Sequence, residues 1–405
     1  MAILVQDLAG ADMIRGDVRG GLTAEVFRDL SSVEPLWRGL EAEAGAFATP
    51  YQRFDWIAAL VEAEFGTDPI AQAAVLRILV LRDPAGRPRT LIPLRIARER
   101  GVTVARVLGG THANFHMPLY ASRHGAAMAP EALLDALVRA GCAAGIDVYA
   151  FGYQPRFWDG AANPLSVRGQ PCPSDAYGLM LGPDPEATLK RAFSADARKK
   201  LRAKERKLVE THGPVEHRVA TTEAAVDEAL QAFYAQKTAR FASMGIPDPY
   251  ACEAIRGFVA RAARPTAGTG PAIEVHTLVA VRSGRILATF GGAVDAGRFS
   301  GMWTSFDGDP ELRRFSPGDL LLYHLIAHQT AAGRRALDLG VGEARYKASI
   351  CDETIELVEP IVPVTLRGHA FAVAATALVR AKRRIKRSPR LFELVSATRR
   401  RLRGA

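Results

Sequence analysis

Apolar positions recur along this chain with two periods, and the order in which they switch lays out the architecture. Leu36, Trp37 and Leu40 fall at helical spacing over residues 33–44, with Gly45 as the stop. Residues 47–56 (F-A-T-P-Y-Q-R-F-D-W) open a second helix that carries Ile57, Leu60 and Val61. Runs 74–81 and 90–96 are apolar and flank Asp83-Pro84-Ala85-Gly86-Arg87, a hairpin with a turn-rich tip, and 102–108 continues the sheet. A polar loop at 109–116, a helix over 130–144 and a strand at 146–151 complete the first half.

The segment 155–173 is rich in proline, glycine and asparagine and is the expected crossing between domains. Residues 176–181 then start a second unit. A strongly basic helix is predicted over 193–208, and a long amphipathic helical region over 223–244. Strands 273–281 and 285–294 pair across Arg282-Ser283-Gly284, and 298–306 adds a third strand. Ser316-Pro317 supplies an N-cap and a first-turn proline. Leu321, Leu322, Leu325 and Ile326 come next at helical spacing, and Gly333 ends the helix. The run 336–339 is too short and apolar for anything but a sheet interior. Residues 360–364 are expected to close this second sheet.

Composition changes the picture little until charge is located. The 405 residues suffice for two or three domains, and 48% hydrophobic with 24% charged residues is ordinary for a globular protein. No window of about 18 apolar residues exists, so no transmembrane helix is expected. The N-terminus lacks the basic-then-apolar pattern of a signal peptide. Cys142, Cys172, Cys252 and Cys351 show no paired spacing, which points to a reducing cytoplasm and away from zinc or disulfides. The net charge of +10 is concentrated at the end: residues 380–405 hold eleven basic side chains and one acidic. The body is therefore close to neutral.

Two stretches carry candidate chemistry. Arg313-x-x-Ser316-x-Gly318 lies just ahead of a helix N-terminus, where free N–H groups and the helix dipole favour an anion. Small residues there let a diphosphate approach the backbone, although Ser-Pro-Gly is also an ordinary helix start. The loop 109–116 holds His112 and His116 four apart with Asn114 between them. Zinc would need a third ligand that the sequence does not supply, so no metal is expected. The loop is either a polar connection or the lining of a pocket against the second unit.

The loop at 313–318 is similar to the (Gln/Arg)-x-x-Gly-x-(Gly/Ala) coenzyme A loop of the GNAT acyltransferases, with Ser316 in place of the first glycine. The runs S-P-G-D-L-L-L-Y-H-L-I and L-D-L-G-V-G-E-A-R-Y-K look like the CelD/BcsL-like group of that superfamily, which is named for a tie to cellulose or exopolysaccharide synthesis. Its relatives include the FemAB-like peptidyl transferases, which hold two GNAT-like domains in one chain. The basic helix and the 47–56 stretch also resemble this group.

The resemblance implies an α+β (mixed α/β) fold of tandem GNAT-like domains, each a central mixed sheet flanked by helices. The boundaries would be an N-terminal extension at 1–22, a degenerate GNAT-like domain at 23–165, the acyltransferase domain with the coenzyme loop at 174–366, and an apolar then basic tail at 367–405. It implies acetyl-CoA or another acyl-CoA as co-substrate. Arg313, Arg314, Ser316, Pro317, Gly318 and Asp319 would hold the diphosphate, and Thr304, Ser305 and Phe306 would line the pantetheine. Position alone offers Asp338 or Glu343 as the base and Tyr346 as the acid for the leaving thiolate; Asp338 serves equally as a loop anchor. The acceptor, a saccharide or small amine, would be framed by His112, Asn114, His116 and Lys347.

An aminoacyl-tRNA donor read by the basic helix, or a non-catalytic regulatory role for a degenerate fold, stays open. Nucleic acid is otherwise not expected as a partner. The tail is expected either to touch an anionic membrane at its surface or to be a disordered basic segment.

Overall fold

Two sheets with the same strand order carry the chain. The structure, a computed structural model, describes residues 12–14, 21–266 and 268–387. Most of the expected N-terminal extension, and the basic run beyond residue 387, lie outside the described residues.

In the first sheet Asp12–Ile14, Thr23–Phe27, Leu76–Arg82, Pro88–Glu99 and Val102–Val107 are successive antiparallel neighbours. Val102–Val107 then runs parallel to Val148–Ala150, and Ile361–Pro363 closes the edge antiparallel. In the second, Val215–Val219, Ile273–Ala280, Arg285–Val294 and Arg298–Phe306 are antiparallel neighbours. Arg298–Phe306 runs parallel to Ala336–Val341, and Ala176–Met180 and Glu353–Ile355 continue antiparallel. In the first sheet the helices Leu30–Ala42, Phe54–Phe65 and Pro69–Val75 separate the first two strands of this matching pattern, and in the second Glu223–Met244 and Glu253–Ala263 do; the parallel crossovers carry the long helices Pro130–Ala143 and Pro317–Ala331. The chain is thus two like mixed α/β domains in tandem.

The closing strand is a correction to the expectation from sequence. Residues 360–364 are expected to finish the second sheet, but Ile361–Pro363 pairs with Val148–Ala150 of the first. The reason lies in the segment before it. Leu357–Glu359 pairs with both Gln154–Pro155 and Gln170–Pro171, and so is drawn across to the first domain. There Val362 is buried with Leu137 and Tyr149. Sequence adjacency favours neighbouring strands, and here packing overrides it. The crossing at 155–173 is therefore bound structure between the domains.

A continuous core joins the two domains. Helix Phe54–Phe65 packs on Glu253–Ala263, a helix that the apolar pattern does not reveal, and the Trp56 and Phe258 rings meet edge to face at 4.9 Å. Both rings are fully buried in one cluster with Trp37, Tyr51, Phe115 and Phe233. The first helix, Leu30–Ala42, starts on Asp29, whose carboxylate accepts from the Ser32 N–H, and it ends at Glu43 before the expected Gly45. Rigid seating of one domain on the other fixes what the first domain presents to the second sheet.

Candidate acyl-transfer site in the second domain

The second sheet opens where its parallel pair ends. Arg298, Phe299 and Ser300 pair with Ala336, Leu337 and Asp338, and the two strands then part. Residues 301–306 continue beyond that point with no strand on their outer edge. A register shift leaves Met302 unmatched between Gly301 and Trp303, a bulge that bends the strand at the fork. Opposite the bulge Gly291 lies under the Trp303 ring; a Cβ there would fall 2.1 Å from the indole.

The first domain fills the vertex of the fork. Asn114 donates from its amide nitrogen to the Gly301 carbonyl at 2.9 Å and to the Tyr51 hydroxyl at 2.7 Å. Tyr51 in turn donates to the Ser300 carbonyl at 3.4 Å. The Asn114 amide also abuts Gly340, whose φ of +77° and lack of a Cβ admit it. Of the three residues expected to frame the acceptor from the loop 109–116, Asn114 alone reaches the fork. His112 lies against the Phe258 ring, and burial lowers its pKa. His116 is fully buried, its Nε2 lies 3.1 Å from the Gly110 carbonyl, and burial pushes its pKa down to about 4.

At the far end, the free-edged strand feeds Asp307 and the turn that leads to helix Pro317–Ala331. Ser316 takes the left-handed conformation, φ 53° and ψ 59°, the region that a glycine would occupy at lower cost. That accounts for the departure from the expected motif: serine holds the glycine's backbone shape. The Gly318 N–H meets no backbone acceptor at this helix start. Arg313 is exposed, and its side chain makes no ion pair among the described residues, whereas Arg314 pairs with Glu311 at 3.2 Å and stacks on Phe315. The basic helix Ala195–His212 crosses beside the turn, and Lys204 donates from Nζ to Ser316 Oγ at 2.6 Å. The sequence does not single out Lys204; seven lysines and arginines crowded into residues 198–207 give no signal for which one turns inward.

Along the free edge, Thr304 is exposed, Ser305 is buried and Phe306 is half-buried under the Arg240 guanidinium. Ser305 shares its hydroxyl with Thr289 at 2.7 Å and donates to Gln236 Oε1 at 2.6 Å. Its side chain therefore braces the strand, and of Ser305 only the backbone is left to line a ligand. Gln236 is a second residue that the sequence pattern leaves unmarked.

Two of the expected catalytic and acceptor groups prove structural. Asp338 is fully buried beside Ser300, accepting from Arg298 Nη1 at 2.5 Å and Ser300 Oγ at 2.5 Å. Burial raises its pKa against the opposing pull of Arg298. Arg298 is shared with Asp159 at 2.8 Å and Glu353 at 3.3 Å and lies over the Trp158 ring. Asp338 is the anchor of this cluster, with no open face for a base. Lys347 is buried and donates to the carbonyls of Gly340 and Val341 at 3.0 and 3.2 Å, which closes the end of strand Ala336–Val341. It has no free ammonium for an acceptor.

Glu343 and Tyr346 differ. Glu343 is exposed, close enough to Tyr177 to help raise that phenol. Tyr346 begins a short helix, Arg345–Ile350, and is 43% exposed. Burial raises its pKa, with Cys351 and the Asp319 charge adding to the shift, so the phenol stays protonated at neutral pH. Among the described residues no cluster of histidine, cysteine, aspartate or glutamate fits a metal ion, and no helix is long and apolar enough to cross a membrane.

Residues 195–348 match the family model of the acetyltransferase (GNAT) domain. No curated protein matches the chain. Among solved structures FemX overlays with a TM-score of 0.56 at 9% identity, covering 84% of this chain and 97% of FemX. Saccharomyces cerevisiae N-myristoyltransferase with bound myristoyl-CoA overlays at 0.42 and 11% identity, covering 85% and 79%. A tandem GNAT protein from the clavulanic acid biosynthesis pathway overlays at 0.38 and 13%, covering 77% and 94%. At 9% identity the FemX overlay speaks to fold. The match to the GNAT model thus falls on the domain with the forked sheet, and the first domain repeats that sheet's strand order.

Proposed function

We propose that the protein transfers an acyl group from acyl-coenzyme A, acetyl in the simplest case, to an amine or hydroxyl of a saccharide or small amine. The observation that carries this reading is the free edge of residues 301–306 leading into a turn with a left-handed Ser316, an open Gly318 N–H and the cations Lys204 and Arg313. An extended pantetheine pairs with an open strand edge, and a diphosphate suits the helix start with its two positive side chains.

In the reaction, the acceptor nitrogen or oxygen attacks the thioester carbonyl carbon near the fork, and the C–S bond breaks as the tetrahedral adduct collapses. Glu343, exposed beside strand Ala176–Met180, takes the acceptor's proton directly or through water. The Tyr346 hydroxyl gives its proton to the departing thiolate. Asn114, Tyr51 and the Arg298–Asp338 pair hold the fork's shape and exclude water from its vertex. A role in exopolysaccharide or envelope synthesis agrees with a saccharide acceptor and rests on the CelD/BcsL-like resemblance.

The basic helix favours a second reading, an aminoacyl-tRNA donor, because most of the charged side chains between Arg198 and Lys207 are exposed and only Lys204 is committed to the turn. The two separate in one assay. Free thiol released from acetyl-coenzyme A is measured against a panel of amino sugars and polyamines, beside aminoacyl transfer from charged tRNA. Acceptor-dependent thiol release supports the first reading; aminoacyl transfer with no thiol release contradicts it.

A further inference from the structure

Over residues 366–379 the helix Leu366–Arg387 is apolar on a side that no described residue covers. Its start is locked to the first domain. The Asp147 carboxylate accepts from the Thr365 hydroxyl at 2.6 Å, and its carbonyl accepts the Val364 and Thr365 N–H groups. Gly368 lies so close that a Cβ would fall 1.8 Å from that carbonyl oxygen. From this anchor Gly368, Phe371, Ala375 and Val379 turn toward the strands of the first sheet. At 100° per residue, Leu366, Ala370, Val373 and Ala377 fall on the opposite side. That side is exposed: Leu366 is 89% and Val373 73% open, whereas Leu378 lines the groove that Phe371 and Ala375 share with the first sheet. From Ala370 to Val379 only Thr376 is polar, and a helical stretch this apolar that is covered on one side only suits a second apolar surface.

The charge carried by the C-terminal end of the chain identifies that surface. The eleven basic and one acidic residues of 380–405 begin on this same helix at Arg380. A nucleic acid would match that charge and leave the apolar face in water. A second copy of the chain would cover the apolar face and set two strongly basic tails side by side. An anionic bilayer satisfies both, since the apolar side enters the headgroup boundary while the basic run meets lipid phosphates. We propose that this helix docks the protein on an anionic lipid bilayer with Leu366, Val373 and Ala377 in the headgroup–acyl boundary. The proposal does not depend on the acyltransferase reading, because it uses no residue of the forked strand or of the turn at 313–319.

The test uses the full chain and sedimentation with vesicles of phosphatidylcholine alone or mixed with phosphatidylglycerol. Binding to the mixed vesicles should exceed binding to neutral ones by on the order of tenfold or more and weaken at high salt. The triple variant Leu366→Ser, Val373→Ser, Ala377→Ser should lose roughly tenfold of that binding with a nearly unchanged melting temperature, because these side chains are exposed. Val373→Trp should move its fluorescence to shorter wavelength on mixed vesicles. Equal binding to both vesicle types would overturn the proposal, as would full binding by the triple variant or an unmoved Val373→Trp emission with the protein still pelleting, the mark of the basic tail acting alone. Self-association abolished by the triple variant, without lipid binding, would assign the face to a second copy and overturn it too.

Discussion

Lys204 Nζ lies 2.6 Å from Ser316 Oγ, so a helix at the start of the second domain places its ammonium on the turn that opens helix Pro317–Ala331. The contact joins two features that the sequence shows apart, a basic helix and a serine where the related motif has glycine. Serine here holds a left-handed turn and gives the lysine a partner that a diphosphate oxygen can share or replace. Lys204→Met should weaken acetyl-coenzyme A binding about tenfold or more, since a charge-assisted hydrogen bond contributes about 1.5–3 kcal/mol. It should also flatten the dependence of affinity on salt. Equilibrium binding at two ionic strengths measures both effects.

The fold is legible in the sequence where local chemistry decides it. The hairpin around Asp83–Arg87, the strands feeding the coenzyme turn and the Ser316-Pro317 helix start are set by residues a few positions apart. The illegible parts depend on distant partners. Nothing within 353–364 announces that its last strand belongs to the other domain; that results from Leu357–Glu359 pairing with residues 154–155 and 170–171. The site divides the same way. The turn at 313–319 can be read from its residue types, but the sequence leaves Asp338 between base and loop anchor and offers Lys347 to the acceptor, whereas both are buried anchors in space. Their partners Arg298 and the carbonyls of Gly340 and Val341 decide it.

Buried anchors should show their loss in stability and leave the chemistry of the folded fraction alone. Asp338→Asn leaves the Arg298 guanidinium with part of its buried countercharge removed and should cost about 3 kcal/mol of folding stability. Lys347→Met should cost about 1–3 kcal/mol by stranding two carbonyls. In either variant, the fraction that remains folded should bind coenzyme normally. Denaturant titration beside a binding isotherm checks this pair; loss of turnover at full stability would instead make Asp338 a catalytic group.

Tyr346 should behave in the opposite way. Tyr346→Phe removes the proton source for the thiolate and keeps the ring, so kcat should fall by about 10²-fold or more with coenzyme affinity and melting temperature nearly unchanged. Steady-state rates of thiol release, paired with binding measurements, give the split.

Glu41 supplies a pH dependence. It caps helix Phe54–Phe65 by accepting from the Phe54 N–H, and burial pushes its carboxyl up to about 7. Between its ordinary value and about 7 the folded state holds a proton that the unfolded state has lost. The group therefore stabilises the fold less as pH rises through that window, by on the order of 3 kcal/mol in full. Glu41→Gln keeps the acceptor and removes the titration. The difference in unfolding free energy between variant and wild type should grow in the variant's favour from pH 4.5 to 7 and then level off.

The most direct test of coenzyme binding at the forked strand is calorimetric titration of acetyl-coenzyme A into the wild-type protein and into Arg313→Ala with Gly318→Asp. Arg313 is exposed and makes no ion pair among the described residues, and an aspartate at Gly318 sets a like charge where the open N–H would meet a diphosphate. Saturable binding is expected of the wild type, with affinity lowered by on the order of tenfold or more in the double variant at equal melting temperature. Equal affinity in the two proteins would contradict this and move the coenzyme, and the reaction with it, away from the forked strand.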